Sequence, residues 1–148
     1  MGVSVELEIE IHRPRADVFD FLARGENLPR WMSEFESLEQ LSDGEPGLGT
    51  VYRYRLRRPP RRSTIEWTEF ERERRIAFAG PKISAGLGSL APAGSLTLEE
   101  LTGSVTRVRA VYAPRPGGVM RLLEPLVAAS IRNGRRADLE RLKEVLER

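Results

Sequence analysis

Apolar and polar residues alternate strictly at the start of the chain. Val3, Val5, Leu7, Ile9 and Ile11 fall on one face, and Ser4, Glu6, Glu8 and Glu10 on the other. A period of two predicts a β-strand with one buried and one solvated face. The pattern then changes. Pro14 suits the first turn of a helix, where its missing N–H leaves no intrahelical bond unmade. Val18, Phe19, Phe21 and Leu22 give that helix an apolar side. Gly25 predicts its end, and Asn27 is placed to cap a second short helical turn leading to Trp31.

Turn chemistry follows in SDGEPGLGT. TVYRYRLRR then alternates again, with Tyr52, Tyr54 and Leu56 on one face and Arg53, Arg55 and Arg57 on the other. RPPRR predicts a polar hairpin tip, because paired prolines do not sit inside a ladder. In STIEWTEFE, alternation sends Ile65 and Trp67 one way and Glu66, Thr68 and Phe70 the other, although WTEFERE is prone to a bulge. RRIAFAG continues as a strand carrying Ile76 and Phe78. The segment from Gly80 to Gly94 is glycine-rich and lacks a clear period, which predicts a mobile connection or lid. SLTLEEL and SVTRVRAVY form a further strand pair joined at Thr102 and Gly103, with Val108, Ala110 and Tyr112 facing inward.

The last third has helical spacing. Leu123, Val127, Ile131, Leu142 and Val145 share one side. Pro125 marks a kink or the helix start. Gly134 falls in the inward stripe and costs about 1 kcal/mol relative to alanine, so it predicts a close approach to something bulky. The order is a strand, two short helices, about six strands and a long helix. Tight turns between consecutive strands imply an antiparallel sheet, and its apolar face needs a cover that only the last helix is large enough to supply. No repeat or linker divides residues 1–148, so a single domain is expected.

Composition narrows the chemistry. The 148 residues contain no cysteine, which excludes disulfides and thiolate sites. The N-terminus lacks a basic start followed by an apolar run, and no apolar stretch approaches the roughly 20 residues that span a bilayer. A cytoplasmic protein is expected. Of 24 basic residues only Lys82 and Lys143 are lysines, leaving 22 arginines, but 22 acidic residues offset them to a net charge of +2. No nucleic-acid partner is expected from that interleaving.

Several segments together resemble a known family: ADVFDFLARGENLPRW after the first strand, GLGTVYRYRL, EFERERRIAF, GSLTLEEL with TRVRAVY, and LEPLVAASIRNGRRADLERLKEVLE at the end. In this order, over nearly the whole chain, they resemble the START-like helix-grip (SRPBCC) superfamily, in its polyketide cyclase/dehydrase and lipid-transport branch. The resemblance implies an α+β helix-grip fold. A curved antiparallel sheet of six or seven strands would wrap around the long C-terminal helix, with two short helices after the first strand and a cavity for an apolar ligand. Members of that superfamily include lipid and quinone carriers, aromatase/cyclases and hormone-binding proteins. No catalytic motif of its enzymes carries over residue by residue.

The residues themselves offer few catalytic constellations. His12 is the sole histidine and ends the first strand, as a surface residue would. No GxSxG elbow, metal-ligand cluster or phosphate loop is present, so no catalytic residue, metal or cofactor is expected. Glu66 and Glu69 on one hairpin arm, and Arg109 on a strand, become polar cavity groups if register turns them inward. Otherwise they belong to a solvated face. Arg57, Arg58, Arg61 and Arg62 surround the Pro-Pro tip, and Arg132, Arg135 and Arg136 lie on the last helix; membrane or phosphate contact and a solvated surface are both open. Trp31, Tyr52, Tyr54, Trp67, Phe78 and Tyr112 come from separate elements. With Leu123, Val127 and Ile131 they form either a ligand pocket or an ordinary core.

Three functions are consistent with this reading. The first is a carrier or binding protein for a small apolar or amphipathic ligand of lipid, polyketide or isoprenoid type, monomeric or homodimeric. The second is a cyclase or dehydratase. The third is a protein or membrane interaction module with a vestigial cavity. Trp31, just after the break from Gly25 to Pro29, is expected to wall or stopper the cavity mouth.

Overall fold

The computed structural model describes residues 3–57, 60–85 and 88–148. In chain order the elements are β1 (Val5–Ile11), α1 (Arg15–Ala23), a 3₁₀ helix (Gly25–Arg30), β2 (Phe35–Gln40), β3 (Val51–Leu56), β4 (Arg61–Glu71) and β5 (Arg75–Ala79). They continue with β6 (Ile83–Ala85), β7 (Gly88–Ala91), β8 (Ala93–Thr102), β9 (Val105–Tyr112), β10 (Arg115–Gly118), a second 3₁₀ helix (Val119–Leu123) and α2 (Glu124–Leu146). Seven strands make one antiparallel sheet in the order β1-β9-β8-β5-β4-β3-β2. The result is a helix-grip α+β fold. β1 and β2 lie at opposite edges of the sheet because α1 and the first 3₁₀ helix carry the chain between them.

Alternation fixes which face is buried. Val5, Leu7 and Ile11 are buried while Glu6, Glu8 and Glu10 are exposed. On the outer face Glu8 pairs with Arg109 and Glu10 with Arg107 across β1 and β9. Arg109 lies 3.1 Å from Glu8, and Arg107 lies 3.0 Å from Glu99. Exposed pairs of this kind contribute about 0–1 kcal/mol each, so they specify the wet face more than they hold the sheet.

Simple alternation fails on β4. Pairing shifts between Trp67 and Glu69, as a β-bulge requires. The extra residue reverses parity. Phe70, expected on the outer face with Glu66, instead packs edge-on against buried Phe19 with ring centroids 5.3 Å apart. Trp67 and Phe70 therefore both serve the core.

The break between the first two helices is an anchoring device. The Ala23 carbonyl accepts hydrogen bonds from Trp67 Nε1 at 3.1 Å and Tyr52 Oη at 3.4 Å. Gly25 lies flat on the Tyr52 ring, where a Cβ would come within 2.7 Å of ring carbons, so only glycine fits. Asn27 does not cap the second helix. Its Nδ2 donates to the Phe21 carbonyl at 3.0 Å and closes the end of α1.

The glycine-rich segment from Gly80 to Gly94, expected as a mobile connection, carries β6, β7 and the start of β8; Gly86 and Leu87 lie outside the described residues. β6 and β7 join β10 in a separate three-stranded sheet of order β10-β7-β6. Gly94 pairs with Tyr112 and Ala91 with Arg115, so Pro92 and Pro114 fall opposite each other in a continuous register. Gly80 donates to the Pro92 carbonyl at 3.0 Å, but a proline has no N–H with which to return a bond to a neighbouring strand. The main ladders end at this seam. Amides of Ser89 and Leu90 are therefore expected to show hydrogen-exchange protection at least about tenfold lower than those of Leu96 and Leu98. Equal protection would show that the two sheets open as one unit.

On α2, Pro125 occupies the first turn and no kink is needed. Gly134 departs from expectation. It is exposed, and a Cβ there would meet nothing within 4 Å. The inward stripe runs through Val127, Ile131, Arg135, Asp138, Leu139, Leu142 and Leu146, with Arg135 and Ile131 half-buried. Among the described residues, no helix is long and apolar enough to cross a membrane.

Candidate functional site: a cavity under the C-terminal helix

The grip leaves a space. A cavity of about 480 Å³ lies between α2, the concave sheet face and the small three-stranded sheet. Of the residues expected to contact a ligand, Trp31, Tyr54, Trp67, Phe78, Tyr112, Leu123, Val127 and Ile131 line it. Tyr52 does not. Its fully buried ring packs on Trp67 at 5.2 Å and it anchors the end of α1 instead.

The expected polar groups are on the wrong side of the sheet. Glu66, Glu69 and Arg109 are all exposed. Glu66 alternates with inward Ile65 and Trp67, and Arg109 alternates with inward Val108 and Ala110. Glu69, just after the bulge, pairs with Arg75 at 2.5 Å. None of the three reaches the cavity. At the hairpin tip Arg57 and Arg62 are exposed, while Arg58 lies outside the described residues. His12 is at the surface, with its backbone N–H donating to Glu147 at 2.8 Å.

The polar groups that do line the cavity are Glu34 and Arg135, with Ser130. Arg135 projects from α2 over the Tyr112 ring, its Cζ 5.2 Å from the centroid. It is paired with Glu34, and its Nη1 donates to Asp138 at 2.8 Å. Asp138 is 1 % exposed. Its carboxylate also accepts from Ser33 N at 3.3 Å and Arg141 Nη1 at 3.1 Å. Two carboxylates and two guanidiniums thus make a cluster with no net charge at the end of the cavity. Burial alone would lower the Arg135 pKa, but Glu34, Tyr112 and Asp138 outweigh it and hold the guanidinium above its usual value.

Three buried donors on the cavity wall have no hydrogen-bond partner among the described residues: Trp31 Nε1, Tyr54 Oη and Tyr112 Oη. Ser63 approaches Tyr54 across the strand pair without completing a bond of ordinary geometry. Burial pushes both tyrosine pKa values up, with the Glu34 charge adding to the effect. Both remain protonated donors at neutral pH. At the other end, the second 3₁₀ helix and the start of α2 form an apolar rim: Leu122 is 82 % and Leu126 67 % exposed, and Leu123 and Leu126 line the cavity.

Sequence reasoning missed Arg135 as a cavity residue, yet the signal was there. Arg135 lies four residues from Ile131 and eight from Val127, on the same helical stripe, and Asp138 three residues on supplies the partner that a buried charge needs.

With this fold and cavity, the chain belongs to the polyketide cyclase/dehydrase and lipid transport family, whose profile matches residues 2–147. No curated protein matches the chain significantly. Solved structures share its fold. The di-domain aromatase/cyclase BexL of the BE-7585A biosynthetic pathway is 19 % identical with a TM-score of 0.75, over 95 % of this chain and 45 % of BexL. The chain thus spans about half the length of that protein. The ZhuI aromatase/cyclase from Streptomyces sp. R1128 is 16 % identical with a TM-score of 0.76, over 100 % of this chain and 95 % of ZhuI. A START superfamily protein from Mycobacterium smegmatis is 13 % identical with a TM-score of 0.78, covering 99 % and 98 % of the two chains. At these identities the likeness concerns the fold.

Proposed function

We propose that this protein binds and shelters a small apolar or amphipathic ligand of lipid, polyketide or isoprenoid type. The observation that carries this reading is the cavity of about 480 Å³ walled by Trp31, Tyr54, Trp67, Phe78 and Tyr112. Apolar burial at about 25 cal/mol per Å² supplies the affinity, and the exposed leucines at the rim give an apolar ligand a path out of water. Binding is favoured over catalysis by the state of the ionised groups. Glu34 and Arg135 are engaged with each other, and burial pushes the Tyr54 and Tyr112 pKa values further up from neutrality, so these two hydroxyls stay protonated rather than act as bases. A cyclase or dehydratase built on Glu66, Glu69 or Arg109 loses its support, since these face solvent.

Native mass spectrometry with fatty acids, isoprenoid alcohols and polycyclic phenols tests the proposal. One ligand per chain is expected. Trp31→Ala is expected to weaken retention at least about tenfold through lost apolar contact, besides costing about 3–5 kcal/mol of stability. A protein that stays empty across the panel would sink the reading. Unchanged retention in folded Trp31→Ala would reduce Trp31 to a core residue.

A further inference from the structure

We propose that the outer face of the small three-stranded sheet and its 3₁₀ helix is a docking surface for an anionic lipid bilayer. This goes beyond the ligand-binding reading: exposed side chains make the surface, and it needs no occupant in the cavity.

The first observation is where large apolar side chains meet water. Of those exposed among the described residues, Val119, Leu122, Leu123 and Leu126 fall within one short segment. Single exposed leucines are ordinary, but a contiguous patch marks a contact surface. The core does not account for it. Met120 already turns inward and lines the cavity, whereas Val119 and Leu122 take no part in the lining. Leu123 and Leu126 do both, so the apolar lining of the cavity continues onto the outside. The segment also has a firm base. A Cβ on Gly88 of β7 would come within 2.5 Å of Met120 Cγ and 2.7 Å of its amide nitrogen, so the 3₁₀ helix sits directly on the small sheet.

The second observation is charge. Residues 80–92 and 113–126, which contain the small sheet and the 3₁₀ helix, hold Lys82, Arg115 and Arg121 against one acid, Glu124. That excess equals the net +2 of the whole chain, leaving 21 charges of each sign elsewhere. All three basic side chains are exposed. Lys82 reaches over β10, its Nζ 3.9 Å from where a Gly117 Cβ would stand. Each Lys or Arg beside an anionic membrane strengthens binding about fivefold, and leucines set among basic groups enter the boundary between headgroups and acyl chains. A second copy of this chain would instead bring like charges together. Leu122, almost free of the protein surface, stands out as an inserting side chain does.

Co-sedimentation with vesicles tests the assignment, using phosphatidylcholine alone and phosphatidylcholine with about 30 % phosphatidylserine. In about 0.1 M salt the charged vesicles are expected to bind at least about tenfold tighter, and the preference should shrink in about 0.5 M salt as screening tightens. Leu122→Asp should weaken binding at least about tenfold, and Arg121→Gln about fivefold. Arg53→Gln, on the outer face of the seven-stranded sheet, should change nothing. Both patch residues are exposed and neither lines the cavity, so near-ultraviolet circular dichroism and ligand retention should match the parent protein. No binding to the charged vesicles overturns the proposal and leaves the patch to a protein partner. Binding that Leu122→Asp leaves intact, or that Arg53→Gln weakens as much as Arg121→Gln, overturns it too, as does sedimentation of a dimer that Leu122→Asp dissociates. Each of these failures leaves the cavity reading standing.

Discussion

Replacing Asp138 by alanine is expected to destabilise the protein by about 3–5 kcal/mol, toward the lower end because Glu34 still partners Arg135. The carboxylate is almost wholly buried and accepts from Ser33, Arg135 and Arg141. Its removal orphans the Ser33 amide and leaves a half-matched guanidinium against the Tyr112 ring. The physical content is the asymmetry between breaking an ion pair and replacing it. Asp138→Leu combined with Arg135→Met should recover much of the loss, since apolar side chains of similar volume incur no charge desolvation. Denaturant unfolding of Asp138→Ala and of the double variant measures this. A loss below about 1 kcal/mol for Asp138→Ala would mean that water reaches the cluster freely.

The second large effect appears in alkali. The chain has three tyrosines. Tyr52, Tyr54 and Tyr112 all have pKa values raised above the usual 10, chiefly by burial. An acid whose folded pKa is raised contributes stability that is fully present below its unfolded value. That stability drains as pH climbs, because the unfolded chain ionises first. Above pH 10 each tyrosine removes up to about 1.4 kcal/mol per pH unit, so all three together remove about 4. Tyrosinate absorbance should stay flat past pH 10, then rise in one step together with loss of near-ultraviolet circular dichroism. Tyr112→Phe should lower the slope to about 3. Gradual titration centred near pH 10 in a folded protein would show that the hydroxyls are solvated.

The sequence made the outer shell of the fold readable and its interior only partly so. Period-two alternation in β1, β3 and β9 assigned faces correctly because none of these strands carries an inserted residue; the shifts in the β2–β3 and β8–β9 pairings fall on β2 and β8. Phe70 was misplaced because one bulge residue inverts parity, and its position depends on the partner strand. β2 escaped notice because its bulge sets buried Phe35 and Leu38 three residues apart and breaks the period of two; β6, β7 and β10 did so because glycine, serine, alanine and proline have weak strand propensity. Their pairing, Gly88–Ala91 with Arg115–Gly118, is long-range. The aromatic cavity wall followed from alternation, apart from Tyr52, which a glycine contact and a helix-end carbonyl claim. Arg135 was masked by the rule that arginines stay wet, a rule suspended where Asp138 and Glu34 stand beside the charge.

The seam at Pro92 and Pro114 separates two quantities that most binding sites tie together. How tightly an occupant is held depends on the whole lining, most of it fixed to the seven-stranded sheet and α2. Under the proposed binding function, how long it stays is expected to follow how often the small sheet parts from the large one. Because the main ladders stop at the prolines, that parting sacrifices none of them. Residence time and affinity therefore answer to different stretches of the chain and are open to separate adjustment.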